Sequence, residues 1–310
     1  MIPGYAGKII TIKVDVDTDR GTRIGVPNLL KLFAELNISA TFLFSLGPDN
    51  TGRAIKRIFR PGFLQKVGRS GVVSMYGLRT LLNGTLLPGP HIAKRNKTLL
   101  QSVYHAGHEV GIHCYDHIRW QDGLAKMTQA QVFAEFAKAR QEFLEVFQFP
   151  AKTAGAAGWQ ANAFSLAAYD DAQLLYGSDA RGPYPFLPRI GDSTFKTLQI
   201  PTTLPTLDEL LGRSEYPFTQ LQAFYLQLLQ ENRLHVLTIH AEIEGMKYVD
   251  WFKMLLQEIQ VCGGQFVKMA DVAEHYLRDP TQIPVCELLP GHVDGRSGTL
   301  AVQKLAANYI

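Results

Sequence analysis

Residues 9–16 alternate apolar and polar positions with the two-residue period of a half-buried strand, and residues 26–36 then repeat their apolar positions at helical spacing. A second apolar run at 39–46 completes a β-α-β unit. The alternation continues with a strand pattern at 109–113, after which Thr128 and Gln131 form the signature of a capping box opening a helix that runs to about Phe147. Strand patterns near 153–156, 174–178 and 198–200 follow, then a helix across 218–230 and a strand across 234–241. The last cycle is a helix at 248–261, a strand at 265–269 and a helix at 270–277. Repeated β/α alternation predicts a parallel sheet, closed as a barrel or left open, in a single domain.

Composition agrees with an ordinary folded enzyme. In 310 residues, 46% are hydrophobic and 19% charged, enough for a sizeable core and too apolar for disorder. A formal charge of +3 does not argue for nucleic acid. The first eight residues lack the apolar centre of a signal peptide, and no apolar run reaches the ~20 residues of a membrane span, so a cytoplasmic, non-spanning chain is expected. Cys114, Cys262 and Cys286 are odd in number and have no paired spacing, which speaks against a disulfide framework.

Acids and imidazoles gather at the predicted strand ends. Asp15 and Asp17 close the first strand, His113 another, Asp179 follows a third, and His240 ends a fourth. In a β/α barrel those ends converge on one mouth, where sites are built. A buried Asp or His that satisfies its neighbours is the commoner role for any one such residue. Four separate strand ends are harder to assign to packing. Two imidazoles and a carboxylate can hold a divalent ion with a position left for water, and a further acid and imidazole remain for proton transfer. His113 and His117 could chelate one ion from a helical turn, or from a strand end and the loop after it. By contrast, His108 and Glu109 before His113 only imitate a zinc-protease helix, because the two histidines are five apart rather than four. His108, His91, His105, His235, His275 and His292 are read as structural, and Cys114 as a packing residue.

The blocks Val14-Asp15-Val16-Asp17-Thr18, His113-Cys114-Tyr115-Asp116-His117, Ala154-Gly155-Ala156-Ala157-Gly158-Trp159, 176–182 and Thr238-Ile239-His240-Ala241-Glu242 resemble the ordered motifs of the polysaccharide deacetylase (NodB-homology) superfamily. Blocks 20–27, 45–50 and 199–205 are similar to its deformylase branch, whose substrate is a 4-deoxy-4-formamido-L-arabinose carried on undecaprenyl phosphate. The resemblance implies an α/β fold, a distorted (β/α)7 TIM-like barrel, with a catalytic domain over 8–280 and a C-terminal tail over 281–310. It implies Asp17, His113 and His117 as metal ligands, Asp15 as general base and His240 as general acid. Superfamily members usually write the first motif with adjacent acids; Val16 separates them here, so ligand and base can exchange within the pair. The third motif usually offers an Arg to the base, and residues 154–159 contain none. Arg181 is the expected substitute, with Asp179 orienting His240 or another site group. Zinc, cobalt, nickel and manganese all accept an Asp/His₂ donor set.

From Asn50 to His108 there is no Asp or Glu, in a chain that has 28, while ten Lys and Arg residues fall there. Ile55, Ile58, Phe59, Phe63, Leu64 and Val67 interleave with Arg53, Lys56, Arg57, Arg60, Lys66 and Arg69. This suits an interfacial element, so 50–108 is expected as a basic insertion facing the membrane and 53–69 as its contact with an anionic inner-membrane surface. A solvated helix packed on the barrel would share the pattern. The expected partner is therefore an undecaprenyl-phosphate-linked aminosugar at the cytoplasmic face of the inner membrane, with no nucleic acid and no protein partner. The implied role is lipid A modification and resistance to cationic peptides such as polymyxin. Deacetylation of another N-acetylated glycan, or a sugar-lipid binding module without activity, are the alternatives. Asp15 and His240 speak against the latter, since binding requires no proton-transfer groups.

Overall fold

The computed structural model describes residues 7–54 and 78–304. Strand β1 (Lys8–Val16) is the centre of the molecule. Its two-residue period sends Ile10, Ile12, Val14 and Val16 into the apolar core shared with the surrounding helices, and puts Thr11, Lys13 and Asp15 on the opposite face, inside the curl of the sheet. β2 (Thr41–Ser45), β3 (Glu109–Cys114), β4 (Thr153–Ala154) and β5 (Tyr176–Gly177) follow in turn, all parallel. Two strands of another sheet, β6 (Leu187–Ile190) and β7 (Ser193–Thr194), intervene before β8 (Leu198–Gln199) joins β5. β9 (Leu234–His240) then pairs back onto β1, from Ile9↔Leu234 to Asp15↔His240. Backbone bonds from Thr203 and Leu204 to the Val236 carbonyl, 3.2 and 3.3 Å, bridge β8 and β9. The seven parallel strands thereby curl into the distorted barrel expected from the motifs, and β10 (Gly264–Phe266) adds to the start of β1.

The helices stand where the apolar periodicity put them. Val26–Leu36 buries Val26, Leu29, Leu32 and Phe33 on the sheet. Gln129–Phe147 begins with the full capping box: Thr128 Oγ1 accepts from the Gln131 N–H, and Gln131 Oε1 accepts from the Thr128 N–H at 2.9 Å. Between β2 and β3, the helix Ile92–His105 buries Ile92, Ala93, Leu100 and Val103. The interval 50–108, expected as one insertion, thus includes a helix packed on the barrel, kinked at Asn96. Lys56, Arg57, Arg60, Lys66 and Arg69 lie outside the described residues.

The stretch expected as a tail contains two further strands, β11 (Val285–Gly291) and β12 (Leu300–Gln303), in a second sheet of order β12-β11-β6-β7. It is fastened to the barrel, since the Arg181 N–H donates to the Ala301 carbonyl and the Gln303 N–H to the Arg181 carbonyl, at 2.9 and 2.8 Å.

The ends of β1 and β9 are clamped by a π-helical turn, Gly21–Gly25. A Cβ on Gly25 would sit 2.0 Å from the Ala241 carbonyl oxygen, and one on Gly21 would sit 1.9 Å from Glu242 Oε1. Only glycine permits that approach.

Candidate active site

At the carboxyl end of the barrel, β3 delivers His113, and the helix that follows begins on His117, with Asp116 as its N-cap accepting from the Arg119 N–H at 3.0 Å. A strand end and the first helical residue thus present the two imidazoles, with ring centroids 5.3 Å apart. β1 ends at Val16, so Asp17 stands just past the strand, and its Oδ1 lies 3.3 Å from His113 Nε2 and 3.4 Å from His117 Nε2. Asp15 takes the other side of the same imidazole, with Oδ1 3.8 Å from His113 Nδ1. His113 Nδ1 is 2.6 Å from the Gly155 carbonyl, to which it donates, leaving the Nε2 lone pair toward Asp17 and His117.

Asp17, His113 and His117 offer ligand atoms that all lie within 4.8 Å of one another. Asp17 Oδ1 is buried and accepts no hydrogen bond. An orphaned carboxylate oxygen facing two imidazole nitrogens is what a divalent cation would satisfy, so the donor set fits the expected metal. Burial alone would raise the Asp17 pKa, but His117, His113 and His240 outweigh it and hold this carboxyl far below the usual range. For His113 burial acts downward and is overcome by Asp15 and Asp17, leaving its pKa raised.

The cation beside Asp15 is Lys13, two residues earlier on the same strand face and fully buried. Its Nζ lies 3.5 Å from Asp15 Oδ2, donates to the Ser178 carbonyl at 3.2 Å, and sits over the Trp159 ring at 5.2 Å. Arg181 points elsewhere: Nη1 bonds Glu209 Oε1 at 2.6 Å and Nη2 the Leu204 carbonyl at 2.9 Å. The structure therefore does not bring Arg181 to Asp15. Nor does it bring Asp179 to His240. Asp179 is buried under the Ala156 N–H, the Gln199 amide and the Tyr169 hydroxyl, and burial raises its pKa to about 6 against those donors. It ties the ends of β4 and β5 to Gln199 of β8.

His240 closes the site from the end of β9. The carboxylate facing its Nδ1 is Asp208, on the short helix Leu207–Leu210, at 3.8 Å. The His240 N–H donates to Glu244 Oε2 at 2.9 Å, and burial pushes the Glu244 carboxyl up to about 8. Glu242 holds the other wall: its Oε1 accepts from the Asp17 N–H, the Thr18 N–H and the Thr18 hydroxyl at 3.1, 2.9 and 2.8 Å. Trp159 is only 2% exposed, with Arg181 and Arg296 over its ring, so it fills the rim of the barrel. Cys114 lies against Ser45 Oγ at 3.2 Å, and burial raises its thiol pKa, as suits a packing residue. Lys13, Asp208 and Glu244 lie outside the motifs, and Glu242, the last residue of the fifth motif, has no role assigned from sequence. The place of Lys13 on the polar face of the first strand, two residues before Asp15, is the one signal the sequence offers for its role.

A curled parallel sheet carrying an Asp-His-His cluster at its carboxyl end defines the polysaccharide deacetylase class. The family's model matches residues 13–172, and the chain belongs to that family. It is 38% identical over 299 residues, 96% of each chain, to a Shewanella sediminis protein described as "Probable 4-deoxy-4-formamido-L-arabinose-phosphoundecaprenol deformylase ArnD". A Wigglesworthia glossinidia brevipalpis protein of the same description is 32% identical, covering 92% of this chain and 98% of its own. Among solved structures, a probable polysaccharide deacetylase from Pseudomonas aeruginosa PAO1 superposes with a TM-score of 0.61 at 18% identity, over 88% of this chain and 92% of its own.

Two outcomes follow from this geometry. Asp17→Ala, His113→Ala and His117→Ala each lower the divalent metal retained after dialysis, measured by elemental analysis. Wild-type retention falls as the pH drops, because protons compete for His113. The second concerns Glu244, whose carboxyl binds its proton more tightly in the fold, at about 8, than at its ordinary 4.5. That contribution to stability is complete below the unfolded value and is lost as the pH rises through the folded one. Glu244→Gln, which keeps an acceptor and cannot titrate, loses less melting temperature than wild type between about pH 6.5 and about pH 8.5 in thermal denaturation.

Proposed function

We propose that this protein hydrolyses the formamide of a 4-formamido-arabinose carried on undecaprenyl phosphate, giving the 4-amino sugar lipid and formate. The observation that carries the reading is 38% identity over 96% of the chain to the Shewanella sediminis protein described as a probable deformylase of this lipid, in a chain whose Asp17, His113 and His117 converge beside Asp15 and His240. A divalent ion bound by those three side chains supplies Lewis acidity toward the formyl oxygen and makes water more acidic.

The remaining chemistry belongs to the chain. Asp15, with Oδ1 buried and without a hydrogen-bond partner, takes the proton of the attacking water as a new C–O bond forms at the formyl carbon. Lys13 holds the opposite oxygen of that carboxylate. His240, the register partner of Asp15 across β1 and β9, gives a proton to the departing nitrogen as the C–N bond breaks. An amine cannot leave as an anion at neutral pH, so this step needs a donor. The product carries a free amine, and we place the reaction in lipid A modification and resistance to cationic peptides.

The substrate's lipid brings the reaction to a bilayer. Among the described residues no helix is long and apolar enough to cross a membrane. We assign the encounter to the anionic cytoplasmic face of the inner membrane, met by the basic interval 53–69, on the strength of its acid-free sequence. Arg53 belongs partly to the barrel, because its Nε donates to the Gly84 carbonyl at 2.9 Å and its Nη1 is 4.0 Å from Asp116.

Asp15→Asn and His240→Ala keep their metal and lose roughly 10²-fold or more in kcat on the formamido-arabinose lipid, the scale of general acid–base catalysis. Release of formate from that lipid by the wild type is the direct test. Turnover of N-acetylated glycans alone would assign the site to a deacetylase. Replacing Lys56, Arg57 and Arg60 together by Gln weakens sedimentation with anionic liposomes at low salt, at ~1 kcal/mol per basic residue near such a surface. Hydrolysis of a short soluble analogue stays unchanged, and equal liposome binding by variant and wild type would remove the membrane assignment.

A further inference from the structure

The turn between β11 and β12 lies outside the barrel, yet it sends one side chain into the wall behind His240. Arg296 Nη2 approaches Asp208 Oδ1 at 3.3 Å and Thr206 Oγ1 at 3.2 Å, while its Nε donates to Glu209 Oε1 at 2.8 Å. Asp208 Oδ1 is the oxygen that faces His240 Nδ1, and it also accepts the Thr206 hydroxyl at 2.6 Å. His240 Nδ1 itself is buried and makes no hydrogen bond. One carboxylate oxygen thus sits between the guanidinium and the imidazole.

The guanidinium is fixed from several sides. Glu209 is buried and shares the oxygen that holds Arg296 with Arg181, so the two guanidiniums converge on one acceptor. Both also lie over the Trp159 ring, Arg296 at 4.5 Å and Arg181 at 5.3 Å. The turn is pressed against the same acid: Gly295 has φ +80°, and a Cβ there would stand 2.3 Å from the Glu209 carbonyl oxygen. Glycine is needed on both counts. A planar fork held by two carboxylates and stacked on an indole has little rotational freedom, unlike a surface arginine.

We infer that Arg296 is a positioning residue for the Asp208–His240 pair, and that the C-terminal hairpin is in this way part of the active site. Asp208 Oδ1 faces two cationic or proton-bearing groups, and the guanidinium sets where that oxygen rests. The imidazole, in turn, takes its orientation from the oxygen. The effect on rate rests on the formamide hydrolysis proposed above, whereas the effect on His240 does not.

The test uses the full-length, metal-loaded protein with Arg296→Met, Arg296→Lys and Asp208→Asn, each also combined with His240→Ala. Imidazole nitrogen chemical shifts of His240 are expected to move in Arg296→Met and Asp208→Asn alike, with metal content unchanged and with Arg296→Lys between them and wild type. On the formamido-arabinose lipid, Arg296→Met lowers kcat on the order of 10- to 100-fold, the cost of a misplaced catalytic group, with KM near the wild-type value. In the His240→Ala background Arg296→Met adds no further loss. A structural anchor alone would lower kcat as much in that background as in wild type, and would leave the His240 signals in place; either result overturns the proposal. Should Arg296→Met fail to fold, Arg296→Lys carries the same readouts, and unmoved His240 signals in it refute the inference. Absence of turnover in wild type would count against the substrate alone, since the His240 signals still report on Arg296.

Discussion

The pairing of β1 with β9 is the constraint on which the site depends. Their parallel register sets Asp15 opposite His240, and the Ala241 N–H continues the ladder to the Asp15 carbonyl at 3.0 Å. Adjacent strands stand about 4.8 Å apart, so an acid and an imidazole at paired positions are held at a separation fixed by the backbone rather than by loop conformation. A slip of one residue would turn Asp15 to the helix side and an apolar neighbour to the interior. The clamp of Gly21 and Gly25 against Ala241 and Glu242 secures that register at the end where it matters.

Charge inside the curl imposes the next requirement. An ammonium removed from water costs several kcal/mol unless compensated, and Lys13 is fully buried. Asp15, the Ser178 carbonyl and the Trp159 ring surround it. Arg181 and Arg296 are managed likewise, by Glu209, whose pKa burial would raise but which the two guanidiniums hold below the usual range. The mouth is thus backed by two ionic groups, one behind Asp15 and one behind His240, which meet at the Trp159 ring.

Much of the barrel was legible because burial on one side writes a period into the sequence. Val26–Leu36 and Gln129–Phe147 were found from apolar spacing and a capping box, and β1, β3 and β9 from their apolar runs. The second sheet was not, since β6 carries Pro188 and Arg189, β7 has two residues and β11 includes Pro290, patterns that read as loop. Asp17, His113 and His117 are legible as a ligand set through the motif resemblance, with Asp17 and His113 supported by their places at strand ends. The partners of His240 could not: Asp208 meets it, and Arg296 meets Asp208, through tertiary contacts over long sequence separations. Arg181 looked like the partner of Asp15 by residue type, yet Lys13 had the shorter path along its own strand.

Glu242 has a consequence for how the protein handles its ion. Three donors from Asp17 and Thr18 converge on one of its oxygens, so the main chain beneath the Asp17 carboxylate is anchored by bonds that do not involve the Asp17 side chain. His113 is likewise fixed through the Gly155 carbonyl. The conformational entropy of assembling the donor set is therefore spent when the barrel folds, not when the ion arrives. This separates the protein from small metallo-domains whose fold and metal are a single equilibrium. An ion held by Asp17, His113 and His117 would then exchange on a standing scaffold, which would leave the choice among divalent metals to supply and coordination preference.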